Sequence, residues 1–430
     1  MKLTTTLAAI SGTALLLGGV HAHAQSLMLD DNPQAPLLGF TGFGTGAESP
    51  WGFPVAPGAP TAPSPVLPLI PGIVVGDGDI IGPGPIAIGA PGLPYIASLS
   101  DSANAGVNGF VYSLYFSADR VTQGAVGTAV NVQNGLNQQA ADVFRGASTF
   151  VAPASIIGTM NALPAPFAGI LPTVIAPVPL NVLVSDESVF GLPADASGAV
   201  IGPGVVAGPP GRGIHNNLDG FDFSTVATAG VFGAQTYQTA YPDETFPFGV
   251  PTADVFDIAP GTTTFCGFPA FAPSAAMGLI FGDVIDAMVV FDNGPMGSAA
   301  CGGVGAQRGR DGILFSLAPG SPSLGLTGRS PGDIFLSDFS GNFGVYASAA
   351  NLGLLTNAGG SPAASGDNVD ALEMGCLGDL NRDGAVNVLD VTAFNICSAG
   401  GPACGDFNAD GVTNFQDLII LAGNFGCTGG

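Results

Sequence analysis

Asn217-Leu218-Asp219-Gly220-Phe221, Val284-Ile285-Asp286-Ala287-Met288 and Asn368-Val369-Asp370-Ala371-Leu372 are three versions of one short text. Each closes an ordered set. Phe116-Ser117, Phe223-Ser224 and Phe315-Ser316 mark the first element of the set, and Asp142-Val143-Phe144, Asp254-Val255-Phe256 and Asp333-Ile334-Phe335 mark the second. Two closing elements are preceded by further similar text, Phe190 to Asp195 and Leu352 to Asn357. The units run approximately over 109–222, 223–292 and 311–373, and their unequal lengths imply long insertions, above all in the first. The surrounding sequence is rich in Gly, Ala, Val, Ser and Phe. Short alternating runs, Gly109 to Ser117 and Asp311 to Leu317, are separated by turn residues, which is the pattern of β structure. Repeated β units of this size pack around a shared axis or stack side by side, because none can bury its apolar face alone. The expected fold is therefore mainly β. An irregular repeat body resembling a β-propeller is the first reading, and a multi-sheet sandwich or a solenoid are the alternatives.

Working outward, the chain opens with Lys2, an apolar stretch from Leu7 to Val20 and Ala22-His23-Ala24, the layout of a secretory signal peptide over 1–24. An exported chain meets oxidising conditions, and its six cysteines suit disulfides. Cys266 with Cys301, Cys376 with Cys427 and Cys397 with Cys404 are the expected pairs, although the four tail cysteines allow three connectivities. Residues 25–94 form a Pro/Gly-rich segment, with 12 prolines between Ser49 and Pro94. It is expected to run extended, as a linker or a strap, without regular helix or central strand. The body is expected over 95–374. Phe150 to Ser185 carries no charge, but Pro153, Pro164, Pro166, Pro172, Pro177 and Pro179 forbid a straight spanning helix, so a packed insertion is expected and no membrane insertion.

Charge excludes whole classes of function. Net charge is −24, and beyond Lys2 the only cationic side chains besides histidine are seven arginines, so nucleic acid and acidic lipid are poor partners. There are 28 Asp against four Glu, a bias toward turns and cation ligands. Beyond the leader the only histidine is His215, which leaves a Ser-His-Asp arrangement one candidate, and Lys nucleophiles are excluded. Glycoside hydrolysis needs only two carboxylates, with Glu187 and Glu244 as candidates. Sugar sites favour aromatic platforms, and this chain has one Trp, Trp51, and six Tyr, while its 28 Phe suit a core. No catalytic residue is assigned. Asp219, Asp286 and Asp370 have two readings: each caps a turn at a strand edge, or, with companions Asp222, Asp283, Asp292, Asp367 and Glu373, each unit holds a further calcium ion.

The last 52 residues carry a second repeat. Asp379-Leu380-Asn381-Arg382-Asp383-Gly384-Ala385-Val386-Asn387-Val388-Leu389-Asp390 is answered 27 residues later by Asp406-Phe407-Asn408-Ala409-Asp410-Gly411-Val412-Thr413-Asn414-Phe415-Gln416-Asp417. A hard cation such as Ca²⁺ takes six to eight oxygens, and a 12-residue loop supplies them from side chains at positions 1, 3, 5, 9 and 12 and a backbone carbonyl at position 7. The ligands are then Asp379, Asn381, Asp383, Ala385, Asn387 and Asp390 in one loop, and Asp406, Asn408, Asp410, Val412, Asn414 and Asp417 in the other. Gly384 and Gly411 allow the sharp turn at position 6. Apolar residues spaced three or four apart follow each loop, Val391, Phe394 and Cys397, then Leu418, Leu421 and Phe425, and predict helices.

Paired loop-plus-helix units without an entering helix resemble a type I dockerin, the module that docks secreted bacterial proteins onto cohesin receptors. The resemblance covers 376–427 and implies a small α-helical domain over 375–430 holding two Ca²⁺ ions. Positions 10 and 11, usually small hydroxyl residues in dockerins, are here Val388 and Leu389, then Phe415 and Gln416. This departure implies a cohesin-like or other extracellular receptor rather than a standard cohesin. The expected protein is secreted or cell-surface associated, with a structural or adhesive body anchored by its tail. A dockerin-bearing glycoside hydrolase acting on polysaccharide is the alternative.

Overall fold

The computed structural model describes residues 23–29, 51–55, 64–65, 96–101, 103–119, 122–136, 142–164, 167, 169–185, 218–222, 236–240, 253–258, 269–293, 297–356, 367–380, 384–400 and 405–428. In chain order the strands are β1 (His23–Leu29), β2 (Trp51–Val55), β3 (Ser64–Pro65), β4 (Ile96–Asp101), β5 (Tyr112–Ala118), β6 (Val143–Gly146), β7 (Thr149–Phe150), β8 (Val174–Ala176), β9 (Asn181–Ser185), β10 (Leu218–Asp222), β11 (Thr236–Ala240), β12 (Phe256–Ile258), β13 (Ile285–Phe291), β14 (Gly312–Leu317), β15 (Ile334–Ser337), β16 (Gly344–Ala347) and β17 (Val369–Cys376). The α-helices are α1 (Ala129–Leu136), α2 (Ser274–Met277), α3 (Pro322–Thr327), α4 (Val388–Gly400) and α5 (Phe415–Gly423). The chain is mainly β, as its alternating runs predict.

The strands form four antiparallel sheets, ordered β10-β1-β2-β3, β4-β11-β12, β13-β14-β15-β16 and β17-β5-β6-β9, with β7 and β8 extending the last one from β5. The strands heading these sheets, β4, β13, β17 and β10, pack against one another in that cyclic order. Their opening text is a shared pattern: Ile96-Ala97-Ser98-Leu99, Ile285-Asp286-Ala287-Met288, Val369-Asp370-Ala371-Leu372 and Leu218-Asp219-Gly220-Phe221. Three closing elements were legible in the sequence; the structure adds a fourth, in which alanine replaces the aspartate.

The other repeated elements have a packing reason. Phe116 lies opposite Phe144 and Phe315 opposite Phe335 in register, with ring centroids 5.8 and 5.5 Å apart. In these two sheets the first and second elements form a cross-strand aromatic pair, the unit that stabilises neighbouring strands, whereas Phe256 of the remaining unit lies opposite Gln238. Two of the three second-element aspartates accept backbone amides: Asp254 Oδ1 from Ser274 at 2.7 Å, and Asp333 from Ser330 and Ala349 at 3.1 and 2.8 Å.

Part of the Pro-rich segment lies within a sheet, in contrast to the extended run expected of it. β2 stands between β1 and β3, yet it contains Pro54. The reason is that β3 covers only Trp51 and Gly52, so Pro54 has a neighbouring strand on one side alone, opposite Ala24. The uncharged run from Phe150 is broken into short 3₁₀ turns and the strands β8 and β9, a packed insertion.

Two hydrophobic clusters fill the interior. One gathers Tyr237, Phe271, Phe315, Phe335 and Phe343. The other contains Tyr112, Phe116, Phe144 and Phe150 and continues into the tail through Val386, Phe394, Phe407 and Leu421. Tail and body thus share a core.

Candidate calcium loops and their seat on the body

β17 runs through Leu377 and Gly378 straight into the first loop. Asn381 and Asp383 lie outside the described residues; the second loop is described throughout. Both loops use their polar side chains in the same way. At position 1, Asp379 Oδ2 and Asp406 Oδ2 each accept from the position-6 glycine amide at 2.8 Å. That glycine has positive φ, 74° at Gly384 and 87° at Gly411, which a side chain would strain. At position 12, Asp390 accepts from the amides of Leu380 and Asn387 at 2.8 and 2.7 Å, and Asp417 accepts from those of Phe407 and Asn414, both at 2.8 Å. At position 9, Asn387 and Asn414 accept from the amide two residues on and donate to the position-7 carbonyl of Ala385 or Val412.

Positions 9 and 12 also start the helices. Asn414 is the N-cap of α5 and Asp417 its reciprocal partner in a capping box. An acidic residue in the first turn suits the positive end of the helix dipole, and Asp390 takes that place in α4. Of the predicted apolar stripe, Phe394, Cys397 and Leu421 are buried, Val391 and Leu418 are half-buried and packed against the core, and Phe425 lies past the end of α5, exposed.

The donor set suits a hard cation. Asp379, Asp390, Asp406 and Asp417 are buried, so each loop sets two carboxylates out of bulk water. In the fully described loop every candidate side-chain ligand position offers oxygen: Asp406 accepts from the amides of Asp410 and Gly411, and Asp410 from the Val412 amide and Asn408 Nδ2. Among the described residues no group of three or more His, Cys, Asp or Glu stands together as a metal site. The loop carboxylates are turned to their own backbone amides, and Asn side chains and carbonyls make up the rest of the ligand set.

The tail is fastened to the body by groups the sequence reading did not single out. Asn424 Oδ1 accepts from the Val111 amide at 2.9 Å, and its Nδ2 donates to the carbonyls of Val111 and Leu377 at 2.9 and 2.7 Å. Arg145, buried in β6, donates to the Asp406 carbonyl at 2.6 Å, and its guanidinium stands 5.6 Å from the centre of the Phe407 ring. Burial pulls this guanidinium below the ordinary arginine range, while Tyr115, Asp406 and Asp417 pull it back up. Cys376 and Cys427 form the expected disulfide, and Val386 exchanges backbone bonds with Gly426 and Cys427. Cys397 is also disulfide-bonded. Cys266 and Cys404 lie outside the described residues.

His215, Glu187 and Glu244 also lie outside them. Of the acidic companions, Asp283, Asp292 and Asp367 accept backbone amides: Asp283 from Ile280 and Ser323, Asp292 from Gly297, and Asp367 from Gln123, Gly124 and Leu355. Burial holds the Asp367 carboxyl above the ordinary range, partly offset by those amides. Asp286 and Asp370 both accept from the side-chain amide of Asn368.

No family model, curated protein or solved structure matches this chain. Among the described residues no helix is long and apolar enough to cross a membrane.

Proposed function

We propose that this is a secreted calcium-binding protein whose dockerin-like tail anchors a structural or adhesive body to an extracellular scaffold. The observation that carries the reading is the common hydrogen-bond scheme of the two loops, which orders oxygen donors at matching positions 27 residues apart. Asp379, Asn381, Asp383, the Ala385 carbonyl, Asn387 and Asp390 would hold one Ca²⁺, and Asp406, Asn408, Asp410, the Val412 carbonyl, Asn414 and Asp417 the other. Bound calcium supplies the positive charge that lets these carboxylates approach one another. We read the body as an irregular four-bladed propeller, a reading supported by the cyclic packing of β4, β13, β17 and β10.

The receptor face follows from loop positions 10 and 11. Val388, Leu389 and Phe415 are 66, 53 and 72% exposed, an apolar group that a protein receptor would cover. The test is surface retention in the producing cells. Calcium should hold the protein at the surface and chelator should release it. A Leu389→Ser/Phe415→Ser chain should bind calcium normally yet escape to the medium. A wild-type protein free in the medium at millimolar calcium would refute the anchor.

A further inference from the structure

At the head of β17, Asn368 Nδ2 donates to Asp286 Oδ2 at 2.5 Å and to Asp370 Oδ1 at 2.6 Å, while Asn368 Oδ1 has no hydrogen-bond partner. The three side chains belong to residues only 3, 5 and 4% exposed, in the order Asn368, Asp286, Asp370. Two carboxylate oxygens held by one nitrogen at such distances stand within about 5 Å of each other. Like charges this close and this dry are stabilised by sharing a proton or by sharing a cation. The amide between them distinguishes the two. Its oxygen and nitrogen are nearly the same size, and a half-turn of the amide exchanges them. The half-turn satisfies the orphaned Oδ1 only if positive charge lies between the three oxygens.

We propose that Asp286, Asp370 and the Asn368 side-chain oxygen bind a divalent cation between β13 and β17. The donor set is all oxygen with two carboxylates, which selects calcium over softer metals. The placement agrees with the ring of heading strands. Asp286 and Asp370 are each the second residue of their strand, and Asp219 holds the same place in β10. Asp283, Asp367 and Asp333 are turned to backbone amides, the usual role of a turn aspartate. This site is independent of the tail loops and would cross-link two sheets of the body.

The experiment is calcium counting by equilibrium dialysis of the full chain. Asp286→Asn/Asp370→Asn should bind one equivalent fewer than wild type. A chain with Asp379→Asn, Asp390→Asn, Asp406→Asn and Asp417→Asn should still bind one. These two results separate the body site from the tail sites, whatever the wild-type total. An unchanged count in the first variant, or none bound in the second, would overturn the proposal and leave a proton-sharing pair. Asn368→Asp covers the case in which the double variant does not fold. With a third carboxylate, calcium affinity should rise at least tenfold and the calcium-induced rise in Tm should grow. An equal fall in Tm with and without calcium would show the amide to be a hydrogen-bond bridge only.

Discussion

Asn424 commits both ends of its side chain to partners ahead of the loops, two of them on Val111, 313 residues earlier in the chain. Replacing it with alanine removes three hydrogen bonds and leaves the buried Leu377 carbonyl without that donor. Asn424→Ala should therefore cost about 2–3 kcal/mol in denaturant unfolding, whereas an exposed surface substitution costs a few tenths. A loss within a few tenths would show that the tail is held by its apolar contacts alone. The two loops were legible because the same polar residue types recur at the same spacings 27 residues apart. Asn424 and Arg145 were not, because nothing local in the sequence distinguishes an asparagine after a helix, or an arginine after Asp-Val-Phe, from a solvated residue. Their partners are brought to them by the tertiary fold.

Among the elements, β17 and the tail helices are tied by the disulfide from Cys376 to Cys427, which spans 51 residues of sequence. Closing a loop of that size restricts the unfolded chain by about 4 kcal/mol in the chain-entropy description. Cys376→Ala/Cys427→Ala should lower unfolding free energy by about 3–4 kcal/mol, and calcium should recover part of the loss. A stability unchanged within error would mean that strain in the bridge cancels the gain. The repeat was legible at this scale where packing demanded the same residue, as in the Phe116–Phe144 and Phe315–Phe335 pairs. It was lost in β4, where Ala97 stands in place of the aspartate of the other three strands. The strands of the Pro-rich stretch were hidden for the opposite reason, since proline is tolerated in β2 wherever no second neighbour calls for its N–H.

For the whole molecule, a core that runs from body into tail predicts a single calorimetric transition, moved upward by calcium. Two transitions, only the smaller of them calcium-sensitive, would contradict the shared core. Acid tests the same construction. Burial, the largest influence, raises the Asp254 and Asp333 carboxyls above the ordinary range, with neighbouring amides and, for Asp333, Arg329 offsetting part of the rise. Their native charged forms are disfavoured relative to the unfolded chain. The stability they contribute is complete below about pH 4 and is lost as pH rises through the raised native values. A net charge of −24 acts in the same direction. In chelator, Tm should therefore be higher at about pH 4 than at about pH 7.5. The proposed calcium sites require ionised loop carboxylates, so in millimolar calcium that gain should shrink or reverse. A Tm in chelator that falls on acidification would contradict the reading of these buried acids.

The pairing of β17 with β5 joins text separated by some 250 residues, with Leu372 opposite Phe116 and Met374 opposite Leu114. For a chain made and delivered from its N-terminus, β5 therefore waits with an open edge while some 250 further residues are made. An open edge invites pairing with other chains. Completion of the barrier against such pairing arrives with β17, the strand that leads directly into the first 12-residue loop. A ribosome that stops short of residue 369 would release a product in which β5 lacks its β17 partner and the sheet keeps the edge most open to self-association.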